Sequence, residues 1–236
     1  GENKSKRLPS GHLVSSQIHC LNHLFALRKD DIAIKAIIEN ATGLKIKEVY
    51  PAPFDKDGGF ISFEFVCKNK SLLDEKYETR GANCTSIDAL VYIQTTDGRK
   101  LLIPIEWKYT ETYQSKEAEE SSLERYPKLI DSESNLKKWC DLYKADPYYE
   151  LMRQSLLMEQ IIKKNEISEI EAVGYRHIMV IPNAHVELKN AIEEKYISNL
   201  KDNSKFRIID PHELLAPIED NDNYSDLITY LKTRYW

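Results

Sequence analysis

The apolar positions in the first part of the chain recur at helical spacing. In residues 12–40 these positions are Leu13, Cys20, Leu24 and Leu27, and Gln17 recurs at the same spacing. The charged stretch at residues 28–31 interrupts the pattern, so a helix broken at this point is predicted. Gly43 follows the second half as a natural helix stop.

Three later stretches have the pattern of strands. FISFEFV, at residues 60–66, alternates between apolar and polar positions, whereas Ile87–Ile93 and Leu101–Ile105 are continuous apolar runs. Beyond them the sequence predicts a charged, helix-prone segment at 114–146, a helix beginning at Pro147, a strand at 174–182, a helix at 185–200, a strand at 205–210 and a closing helix at 224–236. This order predicts a mixed α/β fold in which helices pack on a sheet.

Length and composition narrow the class of protein. A chain of 236 residues with 42% hydrophobic and 30% charged residues fits one globular domain. No apolar run reaches the length of a membrane span, so no membrane partner is expected. The four cysteines contain no CxxC pair, which argues against a thiolate zinc site and a disulfide scaffold and favours a cytoplasmic protein. A net charge of −5 leaves a local nucleic-acid groove possible, since the local field matters more than the sum.

Three charged residues stand at the ends of the two apolar runs. Asp88 lies near the start of the first, and Glu106 and Lys108 follow the second. Alternation along a strand puts Glu106 and Lys108 on one face. A three-residue loop, Thr96 to Gly98 with a left-handed glycine, would place Asp88 opposite Glu106, whereas a two-residue loop would place it on the wrong face.

Two carboxylates that face each other repel unless a positive group lies between them. A divalent cation with oxygen ligands meets this requirement, and Mg²⁺ suits two carboxylates with waters and a substrate phosphate. Asp88, Glu106 and the main-chain carbonyl of Trp107 are therefore the predicted metal ligands. Lys108 beside them is suited to orient a water and to stabilise charge that develops at phosphorus.

The spacing of Asp88 and the Glu106-Trp107-Lys108 triplet resembles the D…(D/E)-x-K signature of the PD-(D/E)XK nuclease superfamily. Ile87 stands where that family often has a proline. The resemblance implies a restriction-endonuclease-like fold, with a core of helix, three antiparallel strands, helix and strand over about residues 12–182. It implies one domain over 1–236, with a C-terminal extension of about 183–236. It also implies catalytic roles for Asp88, Glu106 and Lys108, and Mg²⁺ or Mn²⁺ as cofactor.

Members of this family often add polar residues from neighbouring elements. Glu64 on the preceding strand, Gln17 on the first helix and Gln154 on the helix after the triplet are the candidates for accessory roles. Arg153, beside Gln154, and the basic residues within 68–80 are candidates to contact phosphate. For each of them a solvated surface or a helix cap is the alternative.

The expected function is hydrolysis of phosphodiester bonds in nucleic acid, with DNA as the expected substrate. Two alternatives stay open at this point. The chain is a catalytically silent module of the same fold that binds nucleic acid or a protein, or it is an unrelated α/β enzyme whose Glu106–Lys108 pair is only an ion pair at a strand end. The sequence leaves the oligomeric state undetermined.

Overall fold

A computed structural model describes residues 15–53, 58–75, 84–110 and 124–236. The α-helices of these ranges are α1 (Ser16–Leu24), α2 (Asp31–Thr42), α3 (Tyr148–Lys164), α4 (Val186–Ala191), α5 (Pro211–Leu215) and α6 (Ser225–Arg234). The strands are β1 (Ile46–Tyr50), β2 (Ile61–Phe65), β3 (Ile87–Thr95), β4 (Lys100–Trp107), β5 (Gly174–Tyr175), β6 (His177–Val180) and β7 (Phe206–Ile209).

The seven strands form one mixed sheet. Its order is β1-β3-β4-β6-β7. In addition, β2 pairs with the part of β3 that does not pair with β1, and β5 pairs with β4. The strands β1 to β4 pair antiparallel, whereas β5 and β6 run parallel to β4, and β7 runs parallel to β6. The architecture is a restriction-endonuclease-like α/β fold, as predicted, and the predicted strand at 205–210 extends the same sheet. Strand β1 was not predicted.

Side chains of the central strands alternate between two apolar cores. Val91, Ile103 and Trp107 face a core shared with α1, α2, α5 and α6. Leu90 and Leu102 face the other core, which they share with α3 and the chain that follows α4. Asp88 is two residues from Leu90 on β3, and Glu106 is four residues from Leu102 on β4. Residues separated by an even number of positions share a face of the sheet, so Asp88 and Glu106 lie on the face that α3 covers.

Three predicted breaks in regular structure occur where the sequence places them. The first helix ends before residue 28, and Asp30 caps α2 by accepting a hydrogen bond from the Ala33 amide at 2.9 Å. Gly43 ends α2 with a φ of +69°. The hairpin between β3 and β4 has a three-residue loop, in which Gly98 has a φ of +89°.

The helical prediction for residues 114–146 is wrong over the part that the structure describes. Residues 111–123 lie outside the described ranges, and 124–146 contains only the 3-10 turns Pro127–Leu129 and Asp141–Lys144. Tyr126, Leu136 and Tyr143 are buried from this segment. Its core contacts are therefore made from irregular chain, which helical periodicity cannot reveal.

The predicted helix at 185–200 is also less regular than expected. It begins as α4 and continues as a π turn over Ile192–Tyr196 and a 3-10 turn over Ile197–Asn199. Within the ranges described, no helix combines the length and the apolar character that crossing a membrane requires.

Candidate active site

The hairpin register brings the predicted acidic residues together. Ala89 pairs with Ile105 and Leu90 with Pro104, so the same register continued by one residue puts Asp88 opposite Glu106. The Thr95 amide donates to the Arg99 carbonyl at 2.9 Å and closes the three-residue loop. The predicted register is confirmed.

Asp88 also ties the two strands together through its side chain. Its Oδ2 accepts a hydrogen bond from the Trp107 amide at 2.9 Å. This contact holds the Asp88 carboxylate against the end of β4, at the residue between Glu106 and Lys108. The Trp107 carbonyl as a metal ligand stays a prediction.

Glu106 and Lys108 form a buried ion pair that reaches a third residue. The exposed fractions of Glu106 and Lys108 are 3% and 6%. Lys108 Nζ lies 2.6 Å from Glu106 Oε1 and 2.5 Å from Oε2 of Glu150, in the first turn of α3. One ammonium group is thus held between two carboxylates, one from the sheet and one from the helix.

Gln154, one turn further along α3, links the two strand ends. Its Nε2 donates to Glu106 Oε2 at 2.6 Å and to the Ser86 carbonyl, just before β3, at 3.1 Å. Its Oε1 is buried and has no hydrogen-bond partner among the described residues. The predicted accessory residue therefore lies beside the acidic pair, with an unused acceptor.

The electrostatics of this cluster are unbalanced towards negative charge. Burial raises the pKa of Glu106 well above its ordinary value, and the carboxylates of Asp88 and Glu150 raise it further, whereas Lys108 opposes the rise. Burial and Glu150 also raise the pKa of Asp146, which Lys108 again lowers. Among the described residues Glu106 is thus influenced by two further carboxylates and one ammonium group, whereas Asp146 is influenced by Glu150 and by the cations of both Lys108 and Arg153.

A second buried ion pair on α3 stands beside this cluster. Arg153 Nη2 lies 2.9 Å from Glu75 Oε1, and both residues are buried. Glu75 also accepts hydrogen bonds from Thr85, from its amide at 2.9 Å and from its hydroxyl at 2.5 Å. Arg153, a predicted phosphate contact, is thus held by Glu75, and the pair anchors the chain that leads into β3.

The donor set fits a hard divalent cation. Carboxylate and amide oxygens are the ligands that Mg²⁺ and Mn²⁺ prefer, and Asp88, Glu106 and the unused Gln154 Oε1 supply them. In the described ranges no group of three or more His, Cys, Asp or Glu side chains is arranged to hold a metal. Two carboxylates nevertheless suit Mg²⁺, which keeps several of its waters.

The other predicted residues are Glu64, Gln17 and the basic residues within 68–80. Glu64 is opposite Asp88 in the β2–β3 register, where its φ is +53°. Gln17 lies on α1, across the sheet, and its side chain forms no hydrogen bond within the described structure. The Lys70 ammonium donates to the Cys67 carbonyl at 2.8 Å, and the basic residues at 76 and 80 lie outside the described ranges.

Sequence reasoning missed Glu75, Asp146 and Glu150. Glu150 had a usable signal, because it precedes Gln154 by four residues and therefore shares its helix face. Glu75 had none, since it reaches the cluster only through the fold of the chain between β2 and β3.

Comparison with known families shows the family of the chain. A family model described as REase-ARP, restriction endonuclease associating with ARP, matches residues 2–236. No curated protein and no solved structure matched the chain. Because the match spans nearly the full sequence, the chain belongs to the REase-ARP family of restriction endonucleases.

Proposed function

We propose that this chain is a metal-dependent nuclease that hydrolyses phosphodiester bonds in DNA, with Asp88, Glu106 and Lys108 as its catalytic residues. The observation that carries the proposal is the buried Glu106 carboxylate, 3% exposed, placed by the hairpin register opposite Asp88. Like charges are brought together inside a protein at a stability cost, and such sites are typical of function.

Asp88 and Glu106 would hold Mg²⁺ or Mn²⁺, with the Trp107 carbonyl as a further ligand. The ion, when bound, would polarise the phosphate and lower the pKa of a water. Gln154 fixes Glu106 Oε2 by hydrogen bonding and presents Oε1 as an acceptor that can orient a water. Glu64 and Gln17 stay candidates for accessory roles.

Lys108 would act on the phosphate and the attacking water. Its ammonium group donates to both Glu106 and Glu150. If Glu106 were engaged by a cation, Glu150 would still hold Lys108 Nζ in place. A positioned ammonium group can then donate to the phosphoryl oxygen on which negative charge increases.

The alternative of a purely structural ion pair explains less. The Glu106–Lys108 contact that it requires is present, at 2.6 Å. A pair that served stability alone would be neutral and satisfied, because an uncompensated buried charge is destabilising. Here, among the described residues, Asp88 and Glu150 add negative charge beside Glu106, and Lys108 supplies the opposing positive charge.

The direct test is cleavage of plasmid DNA with and without Mg²⁺ by wild type and by Glu106→Ala. We expect cleavage that requires the ion and is lost in Glu106→Ala. Glu48→Ala, at an exposed position on β1, is the matched control and should cleave like wild type. Cleavage that persists in Glu106→Ala, or in EDTA, would contradict the proposal.

We also propose a protein partner, supported by the family description alone, which names association with ARP. The chain and a candidate partner should migrate as one species in size-exclusion chromatography with light scattering. Separate migration at concentrations of tens of micromolar would argue against a stable association.

A further inference from the structure

A cavity of about 530 Å³ lies along β2. Residues from β2 itself, from the turn after α1 and from the chain after α3 line it. Ligand pockets of small molecules typically measure ~300–1,000 Å³, so the cavity has the size of a binding site. Neither the proposed chemistry nor the ion pairs on α3 use it.

The cavity is adjacent to the proposed metal ligands. Strand β2 pairs with β3 from Ile61 opposite Val91 to Phe65 opposite Ile87, so Glu64, which lines the cavity, stands opposite Asp88. Neighbouring strands lie about 4.8 Å apart. The cavity therefore begins on the strand next to the one that carries Asp88.

The backbone at this junction is strained. Glu64 has a φ of +53° in the middle of β2, a conformation that residues other than glycine adopt rarely. Such strain persists where the surrounding structure enforces it, and it is concentrated at functional sites. The strained residue here is the one that separates Asp88 from the cavity.

The lining combines aromatic faces with donors and acceptors. Phe25 is 49% exposed, and its ring centroid lies 6.0 Å from that of Phe63. The guanidinium carbon of Arg28 lies 3.9 Å from the centroid of the Phe25 ring. Arg28 and Lys68 supply donors, and Glu64 and Glu166 supply acceptors.

This combination matches a nucleobase. A base has two flat faces that stack on aromatic rings and on guanidinium planes, and an edge with both donors and acceptors. A purely apolar ligand would lie against the four charged side chains of the lining. A free phosphate would meet two carboxylates as well as two cations.

We propose that the cavity receives one unpaired nucleobase of the substrate, next to the phosphate that would be cleaved at Asp88 and Glu106. The proposal rests on the proposed nuclease function and narrows its substrate class. A base inside a duplex is already stacked on its neighbours, so it enters such a cavity only when it is unpaired or turned out of the helix. The substrate is therefore single-stranded or locally opened DNA.

A fluorescent base analogue tests this directly. The probe is a 12-nucleotide single strand with one central 2-aminopurine, titrated with wild type in EDTA so that cleavage does not interfere. We expect the fluorescence of 2-aminopurine to be quenched on binding. Quenching should be weak for the fully paired duplex of the same sequence.

Phe25→Ala should weaken binding of the single strand about tenfold, since one base–aromatic stack contributes ~1–3 kcal/mol. Tyr230→Ala is the matched control, because Tyr230 is an exposed aromatic residue, at 42%, on α6. Arg28→Gln is a second cavity variant, expected to act in the same direction. Thermal melting checks that all variants are folded.

The outcomes separate this proposal from the proposed function. Equal binding by Phe25→Ala, Arg28→Gln and wild type would overturn the base pocket, even if plasmid cleavage depends on Glu106 as proposed. Equal quenching of single strand and duplex would also overturn it. Loss of Mg²⁺-dependent cleavage with cavity-dependent quenching intact would instead remove the nuclease and leave a base-binding module.

Discussion

Two buried ion pairs of different kinds lie against helix α3, which supplies Arg153 to one and contacts the other, Glu106–Lys108, through Glu150 and Gln154. Arg153 and Glu75 pair at 2.9 Å, and Thr85 donates two further hydrogen bonds to the same carboxylate. Lys108 and Glu106 pair at 2.6 Å, yet Asp88 and Glu150 add further negative charge beside Glu106. The Glu75 carboxylate thus faces one cation and has its oxygens satisfied, whereas among the described residues Glu106 faces two further carboxylates and one ammonium group.

The difference indicates what each pair is for. A balanced pair with its oxygens satisfied can hold two segments together, here α3 and the chain that leads to Asp88. An unbalanced group is less stable than it could be, and it is prepared to receive positive charge. If this comparison is right, substitutions in the first pair should mainly change stability, and substitutions in the second should mainly change cleavage.

The largest effect on stability is expected from Arg153→Met. The substitution leaves the Glu75 carboxylate buried without its cation, which typically destabilises a protein by ~3–5 kcal/mol. Urea unfolding followed by circular dichroism measures the loss. The double variant Arg153→Met with Glu75→Gln should recover part of it, since no buried charge is then left unpaired. A loss below about 1 kcal/mol in the single variant would show that the pair does not anchor the fold.

Lys108→Ala should have the largest effect on cleavage. Removing one group that stabilises developing charge typically lowers the rate ~10²–10³-fold, or ~2.7–4 kcal/mol. Metal binding, measured by calorimetry, should survive because both carboxylates are retained. Lys100→Ala, on the opposite end of β4 and paired with the exposed Glu171, is the control and should cleave normally. Cleavage at the wild-type rate by Lys108→Ala would contradict the proposed role.

The parts of the fold that follow local rules could be predicted from the sequence. The hairpin register followed from Gly98, whose left-handed φ allows the three-residue loop, and that register placed Asp88 opposite Glu106. The helix break followed from the charged stretch near Asp30, whose side chain caps α2. In these places the turn or cap is determined by residues a few positions apart.

The rest depended on contacts between distant segments. Glu75 reaches Arg153 across 78 positions of the chain, and no periodicity encodes that contact. Strand β1 was missed because its buried and exposed residues do not alternate regularly. The pairing of β1 with β3 shifts its register between Ile46 and Glu48, which interrupts the alternation. Partners of this kind become visible only when the fold is known.

Asp88→Asn should separate charge from shape at the acidic cluster. The amide keeps the size of the side chain but removes one of the two predicted metal-binding carboxylates, so apparent Mg²⁺ affinity should fall at least about tenfold, or ~1.4 kcal/mol. Cleavage at low Mg²⁺ should fall, and excess Mg²⁺ should restore part of it. Asp226→Asn, at an exposed position in the first turn of α6, is the control. An unchanged Mg²⁺ dependence in Asp88→Asn would remove Asp88 from the metal site.

The smallest effect is expected from Asp146→Asn, which tests whether the negative charge of this carboxylate destabilises the fold. Burial and Glu150 raise the pKa of Asp146 above its ordinary value of 3.8. The folded state therefore holds this proton more tightly than the unfolded chain, so the ionised carboxylate destabilises the fold. The penalty is absent below pH 3.8 and develops as pH rises through the folded-state pKa. Asp146→Asn removes it, and the variant should be more stable than wild type at pH 7.

Solvent screening around this partly exposed residue limits the gain to at most about 1 kcal/mol. The difference between variant and wild type should shrink between pH 7 and pH 4, which urea unfolding at the two values can show. Asp141→Asn is the matched control, because it makes the same change on the same segment. The Asp141 side chain is 89% exposed, and its ion pair within the described structure is with Lys144. If Asp146→Asn destabilises the protein at pH 7, the carboxylates near Lys108 stabilise the fold, and the contrast between the two ion pairs of α3 does not hold.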